Sequence, residues 1–350
     1  MDKIKCIKFP KIGQFRNVLQ DLNRQMTFIG MDDLGDPIYD HLKRKETLTF
    51  KGSVKLHGTN AAISYNDSLG IWAQSRERAL NLTEVSEHFG FVFLVKSKES
   101  VIELMINRIK EENNIDTSID TITIYGEWAG KGIQKGVAIS NIDKALFIFG
   151  VKISRLGDEN FKSYWVDSSN LSSPDDRIFN INDFQTFEIE IDMNNPKSIQ
   201  NDLIDITLNV EKECPVSKVF GHSGVGEGVV WSVEYKDTIH RFKVKGDKHS
   251  SSNVPKLAEV DIEKMNSVSE FVDYAVTQNR FEQGIQIVFD GAYMSTKQTG
   301  DIIRWVIEDI MSEELDVLVE NNLIPKDVNK SISDKVRKLF FVEIAKQDIV

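Results

Sequence analysis

The stretch Lys55-Leu56-His57-Gly58-Thr59-Asn60 follows an apolar run and sets a lysine three residues before a glycine, with an asparagine two residues further on. A lysine amine becomes a nucleophile only when it sheds its proton, which burial or neighbouring positive charge promotes. Gly58 lets the backbone come close to a ligand. Asn60 can donate to and accept from a sugar or a phosphate. Alone, the hexamer fits an ordinary strand-to-loop turn with a surface lysine equally well.

Four further clusters add weight. Ser75-Arg76-Glu77-Arg78 closes an apolar run soon after the lysine. Tyr125-Gly126-Glu127-Trp128-Ala129-Gly130 puts a carboxylate at the end of another, and Gly226-Glu227-Gly228-Val229-Val230 does the same. Lys243-Val244-Lys245 sets two lysines on one strand face, because side chains alternate with period two. Each has a plainer explanation: a solvated turn, strand-end carboxylates, or an edge strand guarded by lysines. Together they meet the needs of a nucleoside triphosphate. Phe147 or Phe149 offers a ring to stack on a base. Glu127 can accept from a ribose hydroxyl. Glu227 can hold a hard cation such as Mg²⁺ through oxygen. Arg76, Lys243 and Lys245 can bind phosphate, and the two late lysines would lower the proton affinity of Lys55.

The elements that must position these groups are mostly strands. Apolar, β-rich runs are expected at residues 48–54, 61–65, 71–75, 121–126, 145–153, 228–233 and 239–245. A helical spacing of apolar residues runs through 84–112. After residue 248 the character changes. Residues 249–255 read as a linker, and 268–279, 300–321 and 331–345 carry the helical period, with Ile302, Ile303, Val306, Ile307, Ile310 and Met311 as an apolar stripe and Pro325 as a helix start. The expected division is a mixed part, 1–249, and an all-helical part, 250–350.

Composition narrows the class. With 350 residues, 41% hydrophobic and 28% charged, the chain suits two globular domains. No apolar run reaches the roughly 18–20 residues of a membrane span, and residues 1–6 lack the apolar core of a secretory signal. Two cysteines, Cys6 and Cys214, are too few for a disulfide framework or a cysteine zinc site, so a reducing cytoplasm is expected. The net charge of −11 is uneven: residues 1–55 hold eleven Lys/Arg against seven Asp/Glu, 235–256 six against two, and 157–213 four against thirteen. Basic patches can therefore meet phosphates despite the acidic total.

The ordered clusters resemble the motifs of the covalent nucleotidyltransferases, most closely the RNA ligases of the bacteriophage RNA ligase 2 type, which include the RNA-editing ligases. Lys55 to Asn60 is similar to motif I in the form that branch favours, where DNA ligases and capping enzymes usually carry Asp-Gly. Arg76 matches motif Ia, Glu127 motif III, the Phe147–Phe149 strand motif IIIa, Glu227-Gly228 motif IV, and Lys243-Val244-Lys245 motif V. Val54 departs from the glutamate common before the lysine. The resemblance implies an α+β fold: an ATP-grasp-like nucleotidyltransferase domain of antiparallel sheets with flanking helices, plus a helical C-terminal domain in place of a β-barrel.

It also implies an ATP-dependent RNA ligase with Mg²⁺ as cofactor, acting through a lysyl-AMP on Lys55 and an RNA-adenylate to join a 3′-hydroxyl to a 5′-phosphate. Lys55, Lys243 and Lys245 would be catalytic. Lys55, Asn60, Arg76, Glu127, Phe147, Phe149, Lys243 and Lys245 would bind the nucleotide, and Glu227 the metal. The implied partner is RNA, as a nicked duplex or paired ends, in the cytoplasm, a host's if the source is a phage, and in a repair role. Three alternatives stand beside it. One is an ATP-dependent DNA ligase of the same superfamily. Another is a capping-type guanylyltransferase, which would label with GTP rather than ATP. The third is a non-catalytic nucleic-acid-binding protein on a ligase scaffold.

Overall fold

The computed structural model describes residues 6–249, 268–289, 291–320 and 323–347. Of the expected linker, residues 250–255 lie outside the described residues, as do residues 1–5 and Asn321.

In chain order, α1 (Phe15–Thr27) leads to the hairpin β1 (Phe28–Met31) and β2 (Pro37–Tyr39), then to β3 (Thr47–Lys55), β4 (Thr59–Asn66) and β5 (Gly70–Ser75). Helices α2 (Glu87–Ser97) and α3 (Glu99–Asn113) precede β6 (Thr121–Ala129), β7 (Ala145–Ser154), β8 (Tyr164–Val166), β9 (Ile178–Asn180) and β10 (Thr186–Asp192). Then come α4 (Gln200–Lys212), α5 (Pro215–Val219), β11 (Gly228–Tyr235) and β12 (Thr238–Lys245). The last described helices are α6 (Val268–Ala275), α7 (Gln278–Phe289), α8 (Thr299–Glu313), α9 (Leu315–Glu320) and α10 (Pro325–Gln347). The chain is α+β, as expected, and every expected strand is present.

Two compact units share these elements. The first contains residues 1–11, 53–187 and 210–227. Its sheet runs β5-β4-β6-β7-β8, with β9 on β7. The pairs of this path are antiparallel, and only β9 lies parallel to β7. The β-branched residues Ile63, Ile122, Ile124, Val151 and Ile153 point into one core. Helix α3 covers it with Ile102, Met105, Ile106 and Ile109, the i, i+3, i+4, i+7 stripe of an amphipathic helix. Burying each such side chain stabilises by about 1.5–3 kcal/mol. Asn114 ends α3 in the left-handed conformation, which asparagine tolerates better than most residues. On β7, Tyr125 pairs with Gly150 and Gly126 with Ile148, so Phe149 is a bulged extra residue.

The second unit contains residues 12–52, 188–209 and 228–350; the last three residues of β3 are counted with the first unit. Its helices enclose a core of their own. Ile302, Val306 and Ile310 of α8 are buried beside Val328, Ile332, Val336 and Phe340 of α10, each set spaced four residues apart. Pro325 opens α10 as expected. The expected helix at 268–279 is split into α6 and α7, and that at 300–321 into α8 and α9.

A buried charge network also lies in this unit. Arg280, fully buried, donates to Asp309 (Nε to Oδ2 2.9 Å), Glu313 (3.3 Å) and Glu314 (3.0 Å). Arg16 reaches Glu314 at 3.2 Å, and Tyr274 donates its hydroxyl to the same carboxylate at 2.7 Å.

Candidate active site

β3 delivers Lys55 at its last residue, and a three-residue turn leads to β4. Lys55 Nζ lies 2.6 Å from Glu227 Oε2. His57 Nδ1 is 3.5 Å from the same oxygen. Lys55 keeps 21% of its side chain exposed while the Glu227 side chain is 1% exposed, so the lysine is the partner open to solvent. The turn is fixed by its backbone: Gly58 N–H donates to Glu127 Oε1 at 2.9 Å, and Gln134 Nε2 donates to the Gly58 carbonyl at 3.2 Å. A Cβ on Gly58 would come within 2.4 Å of the Trp128 carbonyl oxygen. The close approach expected at this glycine is thus one to the protein's own β6, because the turn must tuck under that strand for Glu127 to reach it.

Strand register gathers three more of the expected residues. Asn60 pairs with Glu127, and Glu127 with Phe147. Directly opposed residues share a face, so the three form one row across β4, β6 and β7. The neighbouring Trp128 and Leu146 belong to the core, so the row faces the other way. Burial raises the Glu127 carboxyl above the usual carboxylate range. Lys55 opposes that shift, Glu227 adds to it, and the Gly58 N–H and His57 oppose it.

The two candidate phenylalanines part company. Phe147 is buried and stacks on Phe179 with centroids 5.5 Å apart at 21°, with Phe184 and Phe220 around it. Phe149, displaced by the bulge, packs edge-on to Phe9 at 5.0 Å. Arg76 lies just past β5, and its ion pair is with its neighbour Glu77 at 3.8 Å, a local arrangement close to the solvated-turn explanation. Lys243 and Lys245 lie on β12 in the second unit, opposite Val230 and Gly228. There Lys243 Nζ is 2.7 Å from Glu313 Oε1 of α8, which ties it to the Arg280 network.

The structure adds residues from outside the motifs: Gln134, His88, and the ring set Phe179, Phe184 and Phe220. None stands in a recognisable spacing with Lys55. His57 lies inside the motif itself and was legible as a neighbour of the lysine.

A family model of RNA ligases matches residues 49–245, more than half of the chain and all of the stretch from Lys55 to Lys245. No curated protein matches. Among solved structures, the RNA ligase of Naegleria gruberi with PPi is similar at 12% identity and a TM-score of 0.40, over 70% of this chain and 58% of that one. A mutant of the same ligase with ATP and Mn gives 12% and 0.41 over the same shares, and an apo mutant 12% and 0.42. The chain thus spans less than two thirds of those ligases. On the family match, the chain belongs to the RNA ligase family.

Proposed function

We propose that the protein is an ATP-dependent RNA ligase, with Lys55 as the nucleophile that carries AMP. The supporting observation is the seating of Lys55: its amine is 2.6 Å from a buried carboxylate, and its turn is bonded to Glu127, whose row carries Asn60 and Phe147. In this reading the amine attacks the α-phosphorus of ATP, the N–P bond forms, and the bond to the bridging oxygen breaks. Pyrophosphate leaves with the electron pair. The amine must first lose a proton, and Glu227 Oε2 is the acceptor already in hydrogen-bond contact. AMP then passes to an RNA 5′-phosphate, and a 3′-hydroxyl displaces it.

Glu127 accepts from the ribose in this assignment, Asn60 bonds ribose or phosphate, and Phe147 flanks the base. Phe147 is preferred to Phe149 because it is the ring opposite Glu127. Use of Phe147 requires the base to enter beside a ring now covered by Phe179. Arg76, Lys243 and Lys245 supply cations for phosphate, and Lys243 must then exchange Glu313 for phosphate oxygens. Glu227 is an all-oxygen ligand suited to Mg²⁺, which would supply positive charge to offset that on the phosphates. Residues 1–249 would act as the adenylyltransferase part and 250–350 as the helical part. The RNA, a nicked duplex or paired ends, would be met through backbone and 2′-hydroxyl contacts. Repair in the cytoplasm completes the assignment. No helix among the described residues is long and apolar enough to cross a membrane.

The test is incubation with α-labelled ATP and a divalent cation. Label should remain on the denatured protein, and Lys55→Ala should abolish it. Label that persists in that variant refutes the nucleophile. Sealing of a nicked RNA duplex but not its DNA counterpart separates this reading from a DNA ligase.

A further inference from the structure

The start of α2 is not helical. His88 (φ 53, ψ 54), Phe89 (φ 56, ψ 29) and Gly90 (φ 83) occupy the left-handed region in succession. Only the third is a glycine. Bulky residues adopt this conformation rarely, and the surrounding structure must hold them there. Three contacts do so. Trp128 Nε1 and Lys144 Nζ both donate to the Phe89 carbonyl, at 3.4 and 2.6 Å. Gly90 N–H donates to Ser86 O at 3.1 Å. Glu87, just before the turn, pairs with Arg78 beyond β5.

What the turn achieves is the placement of one imidazole. His88 is buried, and its Nε2 lies 3.1 Å from the Asn60 backbone carbonyl. A carbonyl has no proton to give, so the histidine nitrogen is the donor. The location is specific. Pairing of β4 with β5 begins at Ala61 opposite Ser75, so Asn60 stands one residue beyond the end of that ladder. A carbonyl even partly shielded from water is costly to leave without a donor. His88 supplies one at the residue that faces Glu127. The same turn is held by Trp128, which adjoins Glu127, and by way of Glu87 by Arg78, two residues after Arg76.

We propose that His88 is a positioning residue for nucleotide transfer: it fixes the strand at Asn60, and with it the alignment of Asn60 and the Gly58–Glu127 turn, before ATP arrives. This rests on the assignment of Asn60 and Lys55 to the nucleotide site. It predicts that the donor nitrogen matters, and not simply the bulk of the ring.

The experiment compares His88→Gln, whose amide can still donate, with His88→Leu, which fills space without a donor. Both are assayed in a single turnover with α-labelled ATP and Mg²⁺, beside Lys55→Ala and thermal unfolding. His88→Leu should slow formation of the adduct by about ten- to a hundredfold, the range expected of misaligned reacting groups. His88→Gln should return to within about threefold of the parent, the residual expected when a donor is kept in slightly altered geometry. Equal rates for the two variants, both fast or both slow, overturn the proposal. Should Lys55→Ala still take up label, it is the nucleophile assignment that fails, whatever His88 does. Should His88→Leu not fold, His88→Gln against the parent decides alone: a loss of tenfold or more overturns the proposal, and a near-parental rate upholds the donor.

Discussion

Both units contain a knot of charge around buried carboxylates, but the central cation is sealed in one and partly open in the other. In the second unit Arg280, Arg16 and Lys243 face Asp309, Glu313 and Glu314: three cations, three anions, and a tyrosine hydroxyl closing one gap. In the first, Lys55 and His57 stand at the buried Glu227, and Glu127 feels all three. A matched set satisfies itself and resists change. A set whose lysine is partly open to solvent leaves that amine within reach of a charged substrate. On the proposed assignment, the contrast separates a network that holds a fold from one that would do chemistry.

The largest effect expected from breaking this contrast is on stability. Arg280→Leu leaves three carboxylates without their shared partner and should cost about 3–5 kcal/mol, read by chemical denaturation. Glu227→Gln should do the reverse. Loss of one of two adjacent carboxylates leaves the melting temperature near the parent's, while adduct formation falls about a hundredfold or more. Large destabilisation by Glu227→Gln would erase the distinction. The subtlest expectation is one of sign with pH. Burial holds the Glu127 carboxyl above its ordinary range, so the folded state keeps a proton that the unfolded chain has lost. Stability from this group therefore declines as pH rises from the ordinary carboxylate range through the folded value. Burial alone would raise Glu314 too, but Arg280, Tyr274 and Arg16 overcome it and hold it low. Its contribution is full above the ordinary range and is lost as pH falls through the folded value. Glu127→Gln should thus weaken the fall in melting temperature as pH rises above the ordinary carboxylate range, and Glu314→Gln the fall as pH drops below it. Identical pH profiles for the two variants would contradict the assignment.

Much of the framework was legible in the residues. The β-rich runs around Lys55, Glu127 and Lys243 became strands β3, β6 and β12, because alternation and β-branching act locally. Of the thirteen acidic residues in 157–213, three belong to β10, where Glu188, Glu190 and Asp192 alternate with buried Ile189 and Ile191 on a strand at the end of its sheet. That alternation was present in the sequence and was obscured by the charge count. Helix α1 is likewise written in the spacing of Phe15, Val18, Leu22 and Met26, beneath the basic charge of its segment. The His88 turn was not readable. Nothing in His-Phe-Gly signals three left-handed residues, because hydrogen bonds from Trp128 and Lys144 and one to the Asn60 carbonyl, all distant in sequence, decide it. The pairing of Lys243 with Glu313 was hidden for the same reason, with seventy positions between the partners.

The extra residue in β7 acts as a phase shifter. Before it, even-numbered positions Leu146 and Ile148 feed the hydrophobic interior; after it, odd-numbered Val151 and Ile153 do. Parity along this single strand therefore reverses at Phe149. Removing the one residue would bring the two halves into one phase and turn half of the strand inside out.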